Sequence, residues 1–529
     1  MKKANQVLGL PDQRTYYNAV QLVMPLDVRI KLEENDPLFS YLEAVEGVNF
    51  SQYVKGIRSN NTRSHDKGML LKIVLFGYME NHRSLRELEQ LCRTDLRYMY
   101  LSNEEKPSFM AFQRLESELT GTIEEVFHDI SAQIAELMGC DTDIQYIDGT
   151  KIEANAQKNT FVYKKRIINA EDRLFMRITE SIWQLNQEYG YSYRMKSRYD
   201  SLDMWYIAQY LMEVMNRENI RIVYGKGHRK DRFQVYYDLF VEYAQKLEEY
   251  EYWLGIIGKR NSCSKTDHDA TMMATKWDYY NQSGVTRPCY NCQIAVSNGI
   301  IVNSDVYQTP ADNVTWQSFI DKYDHYHGKY PAWPVADAGY GNYDTYLYNV
   351  QRGIHLVQKY GMYGKAEDKQ FQKKIYHTWN WKRDGRGYKV CPEGRIFDQW
   401  LFSRYRTSPN GNPLVKQIYG EKNRCEGCPV IEKCNKGKVK HISRDAVQEQ
   451  FYAEVDDQLS TESGVQLKKQ RSVQVEGAFG VIKQNMKFTR FTRRGMKNVK
   501  MEFLLVCLGY NLSKYHQMRM AVSHSKLVS

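Results

Sequence analysis

Two strand-like runs, Cys292 to Ser297 and Ile300 to Tyr307, flank the dipeptide Asn298-Gly299, and no other feature narrows the folds open to this chain as far. Asn-Gly accepts the left-handed backbone that a type I′ turn requires, and that turn matches the twist of the strands it joins. An antiparallel hairpin is therefore expected. A lone hairpin is marginal in water, so further strands are needed beside it. Ile144-Gln145-Tyr146-Ile147 reads as one, ending in Asp148-Gly149, and Trp333-Pro334-Val335-Ala336 as another, running into Asp337. After the hairpin, Asp312 or Asn313 can cap a helix carrying Trp316, Phe319, Ile320 and Tyr323. A helix from Asn342 to about Gln351 then leads, past Gly353, to strand-like Ile354-His355-Leu356-Val357. Val473 to Gln484 reads as a late helix with Glu476 near its start.

That succession predicts a mixed α/β fold, an RNase H-like core whose sheet is covered by helices. The core falls to residues 140–160, 263–358 and 466–515, with insertions at 161–262 and 359–465. Glu180 to Glu188 and Gln234 to Leu254 give the first insertion the look of a long helical hairpin, while the second is polar, basic and cysteine-containing. Residues 1–120 read as a helical domain, with an apolar run from Met69 to Met79, a capping-box pattern at Ser84 and Glu87, and a helix opened by Pro107-Ser108. Short helices joined by tight turns suit a helix-turn-helix-like DNA reader, with Arg83, Arg86, Arg93, Arg97 and Arg114 for phosphates. A plain helical packing domain is the other reading.

Lys and Arg number 74 against 63 Asp and Glu, a net charge of +11 that favours a polyanionic partner. The opening MKKANQVLGLPDQ carries no apolar run of signal-peptide length. Phe503 to Leu508, the most apolar stretch, is far shorter than the ~20 residues of a membrane helix. A cytoplasmic, nucleoid-associated protein without membrane contact is expected. Ten cysteines are too sparse for a disulfide framework, so those that are grouped read first as metal ligands.

Phosphodiester chemistry on DNA needs charge neutralised on attacking and leaving oxygens, which two Mg²⁺ or Mn²⁺ ions held by carboxylates achieve. Asp148 ends the first strand, Asp337 ends the strand after the first helix, and Glu476 rides the late helix. In a sheet of this order the two strand ends lie side by side and the helix can cross beside them, so three acids far apart in sequence are expected to converge. Glu476, Gly480 and Lys483 fall on one face of a regular α-helix, with Val475, Phe479 and Ile482 as the docking stripe beside it. Asp305 and Asp312 are rival acids, Asp312 being read as a helix cap.

Three stretches carry a resemblance: Tyr146 to Asn155 (YIDGTKIEAN), Ala336 to Tyr340 (ADAGY) and Val475 to Lys483 (VEGAFGVIK). In this order they look like the three blocks of DDE transposases from bacterial insertion sequences. The helical N-terminal region resembles that family's DNA-binding segment, and Leu508-Gly509-Tyr510-Asn511-Leu512 its C-terminal helix. The resemblance implies that Asp148, Asp337 and Glu476 hold metal, that Lys483 lies near DNA, and that a homodimer holds terminal inverted repeats and target DNA in a synaptic complex. Relatives often carry Tyr and Arg before the Glu. Here Lys469 stands where the Tyr would, and Arg471 is one place out of register.

From Lys483 to Lys500 the chain has Lys483, Lys487, Arg490, Arg493, Arg494, Lys497 and Lys500, no acid, and interleaved Phe488 and Phe491. Such a run, with Arg471 nearby, suits a DNA strand: cations for phosphates, Phe to stack on an unpaired base. Cys391, Cys425, Cys428 and Cys434 have the ligand count of a structural tetrahedral Zn²⁺ site, reduced structural thiols being the alternative. Cys289 and Cys292 read as core or loop cysteines. The expected function is metal-dependent cleavage at insertion-sequence ends and strand transfer into target DNA. An RNase H-like nuclease that does not join, and an inactive transposase-derived DNA-binding protein, are the alternatives.

Overall fold

The computed structural model describes residues 32–54, 65–225, 229–275, 284–435, 437 and 439–528. The parts of the expected helical domain at 1–31 and 55–64 lie outside the described residues. Two units are distinguished: residues up to Met138 together with those from Leu508 onward, and Gly139–Cys507.

The first unit is helical because its sequence supplies caps and apolar faces in turn. Asp36 caps Pro37–Ala44, and Asp66 accepts from the amides of Gly68 and Met69 at 3.2 and 3.0 Å to open Lys67–Met79, which is buried almost throughout. Leu85–Thr94 and Phe109–Leu119 form as expected. The capping box does not: Ser84 makes no side-chain cap bond, and Glu87 is engaged by His82 at 2.7 Å. Nor are all the arginines open to phosphate. Arg97 is held by Glu80 at 2.6 Å and Asp95 at 2.9 Å, and Arg93 by Glu89 at 2.6 Å. The end of the last helix, Met496–Val528, completes this unit: Asn511 donates to Ser131 at 3.0 Å, His516 meets Ser40 at 2.9 Å, and Gly509 lies against the Tyr78 backbone where any Cβ would clash.

The second unit is built on a five-stranded sheet of β1 (Ile144–Glu153), β2 (Thr271–Ala274), β3 (Thr286–Ser297), β4 (Ile300–Tyr307) and β5 (Trp333–Val335). One edge of β3 pairs antiparallel with β1, and its other edge pairs with β2 and then β4. β5 joins the far side of β1 in parallel. The β3–β4 turn is the one its sequence encodes, with positive φ at both Asn298 and Gly299. β1 runs on to Glu153 because β3 continues to pair with it, so Asp148 sits within the strand and not at its end. Residues 354–357 form no strand; His355 donates once to Ala332, at 3.0 Å, and Gln358 caps Pro334 through its side chain at 2.5 Å. Ile147, Ile294, Val296, Ile300 and Ile301 are fully buried, each contributing roughly 1.5–3 kcal/mol.

Among its described residues the segment at 161–262 holds three helices where a helical hairpin was expected: Lys164–Tyr189, Ser201–Arg217 and Arg232–Ile257. The middle one is opened by an Asp200–Asp203 capping box and buries Met204, Ile207, Ala208 and Leu211 on one face. The cysteine-bearing stretch builds its own sheet of β6 (Gln399–Thr407), β7 (Pro413–Gly420) and β8 (Ile442–Arg444). No helix among the described residues is long and apolar enough to cross a membrane.

Candidate active site

The parallel pairing of β1 and β5 sets the site. Tyr146 lies opposite Val335, so two residues further along Asp148 and Asp337 emerge side by side. Asp148 is pushed up to about 6, first by burial, then by Asp337, with Asp312 adding to it; the Gly149 amide at 2.8 Å and Arg471 at 3.5 Å oppose the shift. Asp148, whose ionisation the neighbouring Asp337 opposes, forms with it a donor pair suited to a cation. Asp337 also accepts from the Gly339 amide at 2.8 Å, and a Cβ on Gly339 would stand 2.9 Å from that same carboxylate oxygen.

Asp312 belongs to this neighbourhood and is not the cap that the sequence suggested. The helix Trp316–His327 begins at Thr315 without a side-chain cap. One oxygen of Asp312 accepts from Lys151 at 3.0 Å, Asn291 at 2.7 Å and Gln293 at 2.9 Å. These donors share a face because Lys151 is opposite Asn291 and Gly149 opposite Gln293. Tyr340 donates to Gln293 from the other side. The available signal was Asn291 and Gln293 alternating inside an otherwise apolar strand: buried amides require partners.

A continuous helical run from Glu462 to Asn485 packs beside the strands. It buries Val475, Phe479 and Ile482, the expected docking stripe, and brings Arg471 to Asp148 and Lys483 to the hydroxyl of Thr150. Two stretches, Ser472–Glu476 and Val481–Asn485, are π-helical. Within this run Glu476 is exposed, while Gly480 and Lys483 are half-buried, Lys483 against β1. Among the described residues no three His, Cys, Asp or Glu side chains stand close enough to hold a metal ion. The structure thus brings Asp148 and Asp337 together, and Glu476 is exposed on the helical run that packs beside β1 and β3.

The basic run is partly spent on the fold. Arg490 donates to the carbonyls of Ala154 and Ala156 at 3.2 and 3.0 Å, Arg494 to that of Asn155 at 2.8 Å, and Lys500 pairs with Asp305 at 2.9 Å. Phe488 and Phe491 are buried, packed edge-on to each other, and are closed to stacking on a base. Lys487 and Lys497 remain exposed, and Arg493 is half-buried. A cationic group that sequence reasoning missed lies on the Asp337 side. Lys359 and Lys468 both approach the Tyr363 ring, and burial with Arg471 and Lys468 nearby holds the Lys359 ammonium below its usual range.

All ten cysteines are free thiols. Cys289 and Cys292 are buried in β3. Cys391, Cys425, Cys428 and Cys434 line one small cavity, and the Cys391 sulfur accepts from the Arg395 amide at 3.3 Å, but they do not stand at metal-holding spacing.

Residues 26–118 match the family described as Transposase domain (DUF772), and residues 390–516 match the Transposase DDE domain. The second match spans the four cysteines, Glu476 and the basic run, but does not reach Asp148 or Asp337. No curated protein and no solved structure is significantly similar to the chain. Together the two family matches indicate a DDE-type transposase of the insertion-sequence kind.

Proposed function

We propose that this transposase cleaves DNA at the ends of an insertion sequence and joins them to target DNA at one RNase H-like active site. The adjacency of Asp148 and Asp337 on parallel strands carries the reading. A sheet order of β4, β3, β1, β5 with only the last pair parallel supports it. Asp148, Asp337 and Glu476 would hold Mg²⁺ or Mn²⁺, which when bound neutralises charge on the attacking and leaving oxygens. The helical run that carries Glu476 packs beside β1 and β3, which is what supports including it in the set.

The other roles follow from position. Arg471, Lys468 and Lys359 offer charge for the phosphates beside Asp337, with Lys483 near the strand and Lys487, Arg493 and Lys497 continuing the track, while Arg490 and Arg494 brace it against the Ala154–Ala156 carbonyls. Water attacks phosphorus and the 3′ oxygen leaves; the freed 3′-hydroxyl then attacks a target phosphorus and displaces that strand's own 3′ oxygen. The helices matched at 26–118 would read terminal inverted repeats, and a homodimer would hold two ends. The exposed position of Glu476 favours one second reading, a DNA-binding protein that no longer cuts.

The test uses duplexes carrying the element ends with Mg²⁺. Asp148→Asn and Asp337→Asn are expected to lower cleavage and joining by about a thousandfold or more, the scale of losing a principal transition-state contact, while retaining DNA binding. Wild-type protein that binds but never cuts would establish the second reading, and cut ends without joined products would mark a nuclease.

A further inference from the structure

The carboxylate of Asp312 has two oxygens, and the sheet engages one of them. Lys151, Asn291 and Gln293 all donate to Oδ1, at 3.0, 2.7 and 2.9 Å, so the donors on that face of β1 and β3 are satisfied there. Oδ2 takes no part in these bonds and faces another way. A Cβ placed on Gly149 would run into the Gln293 amide nitrogen and stand 3.0 Å from Asp312 Oδ1, whereas one placed on Gly339 would stand 2.9 Å from Asp337 Oδ1 and 3.9 Å from Asp312 Oδ2. The carboxylate therefore lies between the glycine that follows Asp148 and the glycine two places after Asp337, with its unengaged oxygen on the Asp337 side. Its side chain keeps 27 % of its surface open.

Packing alone asks less of this residue: one acceptor atom would satisfy the three donors, and the helix beginning at Trp316 takes no cap from it. Direct ligation asks for more, since among the described residues no three acidic, Cys or His side chains stand at metal-holding spacing. Between these two lies a third role. Mg²⁺ gives up water reluctantly, and the waters it keeps need acceptors around them. We propose that Asp312 is a positioning residue whose Oδ2 accepts a hydrogen bond from a water carried by a divalent ion on Asp148 and Asp337, while Oδ1 fixes the carboxylate to the sheet. Lys151 already compensates its charge at 3.0 Å, so what Asp312 adds is direction. The inference rests on reading Asp148 and Asp337 as the metal-holding pair.

The probe is Mn²⁺, titrated into the full-length protein without DNA and followed by electron paramagnetic resonance. Asp312→Asn keeps an oxygen for the three donors and puts an amide donor where Oδ2 stood; it is expected to weaken Mn²⁺ binding by about tenfold or more, the scale of losing an outer partner of a metal site. Its loss of end cleavage is expected to be recovered by raising Mn²⁺, which a fault of folding would not be. Asp337→Asn is the reference for a lost direct ligand. Asp312→Glu, with the same charge and its oxygens displaced by one methylene, gives the second reading of the effect should the amide variant not fold. Wild-type affinity in whichever of the two variants folds would overturn the inference, as would wild-type protein that binds no Mn²⁺. Cleavage of duplexes carrying the element ends reports separately on the transposase reading: Mn²⁺ binding that depends on Asp312 in a protein that never cuts would keep the inference and remove that reading.

Discussion

A single carboxylate oxygen of Asp312 collects an ammonium and two amides, and that convergence determines what its loss would do. Asp312→Ala leaves Lys151, Asn291 and Gln293 without their acceptor in a half-buried site, and a destabilisation of about 1–3 kcal/mol is expected in denaturant titrations. Asp148 and Asp337 could be read in the sequence because each follows a short apolar strand. Asp312 could not: an acid just before a helix has a commoner explanation as a cap, and only the β3 register shows its donors. His516 behaves differently. Burial against Ser40 holds its imidazole below the ordinary value, so the unfolded chain binds the extra proton first as the solution is acidified. Stability is therefore expected to be full above pH ~6.5 and to fall as pH drops through that value toward the lower folded one. Thermal melts across this range should show the slope in wild type and a flatter response in His516→Gln.

Elements were legible where local chemistry and the sheet agreed. The Asn298-Gly299 hairpin, the helix Tyr343–Gln351 capped by Asn342 and the docking stripe of the late helix all formed as read. The misses share a cause. β1 outlasts its apolar run because β3 pairs with it, and the π turns in the late helix leave no mark on an apolar pattern read with an α period. Phe488 and Phe491, read as base-stacking residues, are core, because alternating Phe with cations looks the same whether the rings face DNA or protein. The four thiols of the cysteine-bearing segment share one cavity and Cys434 is pushed up by burial and in part by the other three, so a small inward movement would close a site; the expectation is about one Zn²⁺ per chain by elemental analysis, lost in Cys428→Ser, with faster proteolysis between β6 and β8 once the ion is removed. Full-length protein free of zinc, with an unchanged cleavage pattern after chelation, would assign the four thiols to packing alone.

On the scale of the whole molecule, the unit formed by residues up to Met138 is completed by those from Leu508 onward. Asn511 on Ser131, His516 on Ser40 and Gly509 against Tyr78 are internal to that unit. Ending the chain after Cys507 is therefore expected to strip amide protection from peptides within 65–138, as read by hydrogen exchange, by at least about tenfold. Unchanged protection would mean that the helices hold without the C-terminal segment. The same closure has a consequence for synthesis. A ribosome releases the helices of 65–138 several hundred residues before it makes the piece that seals them, so their apolar faces must wait, exposed, until the segment from Leu508 onward has emerged. A copy cut short by a premature stop would then carry an unsealed unit, a natural substrate for chaperones and proteases.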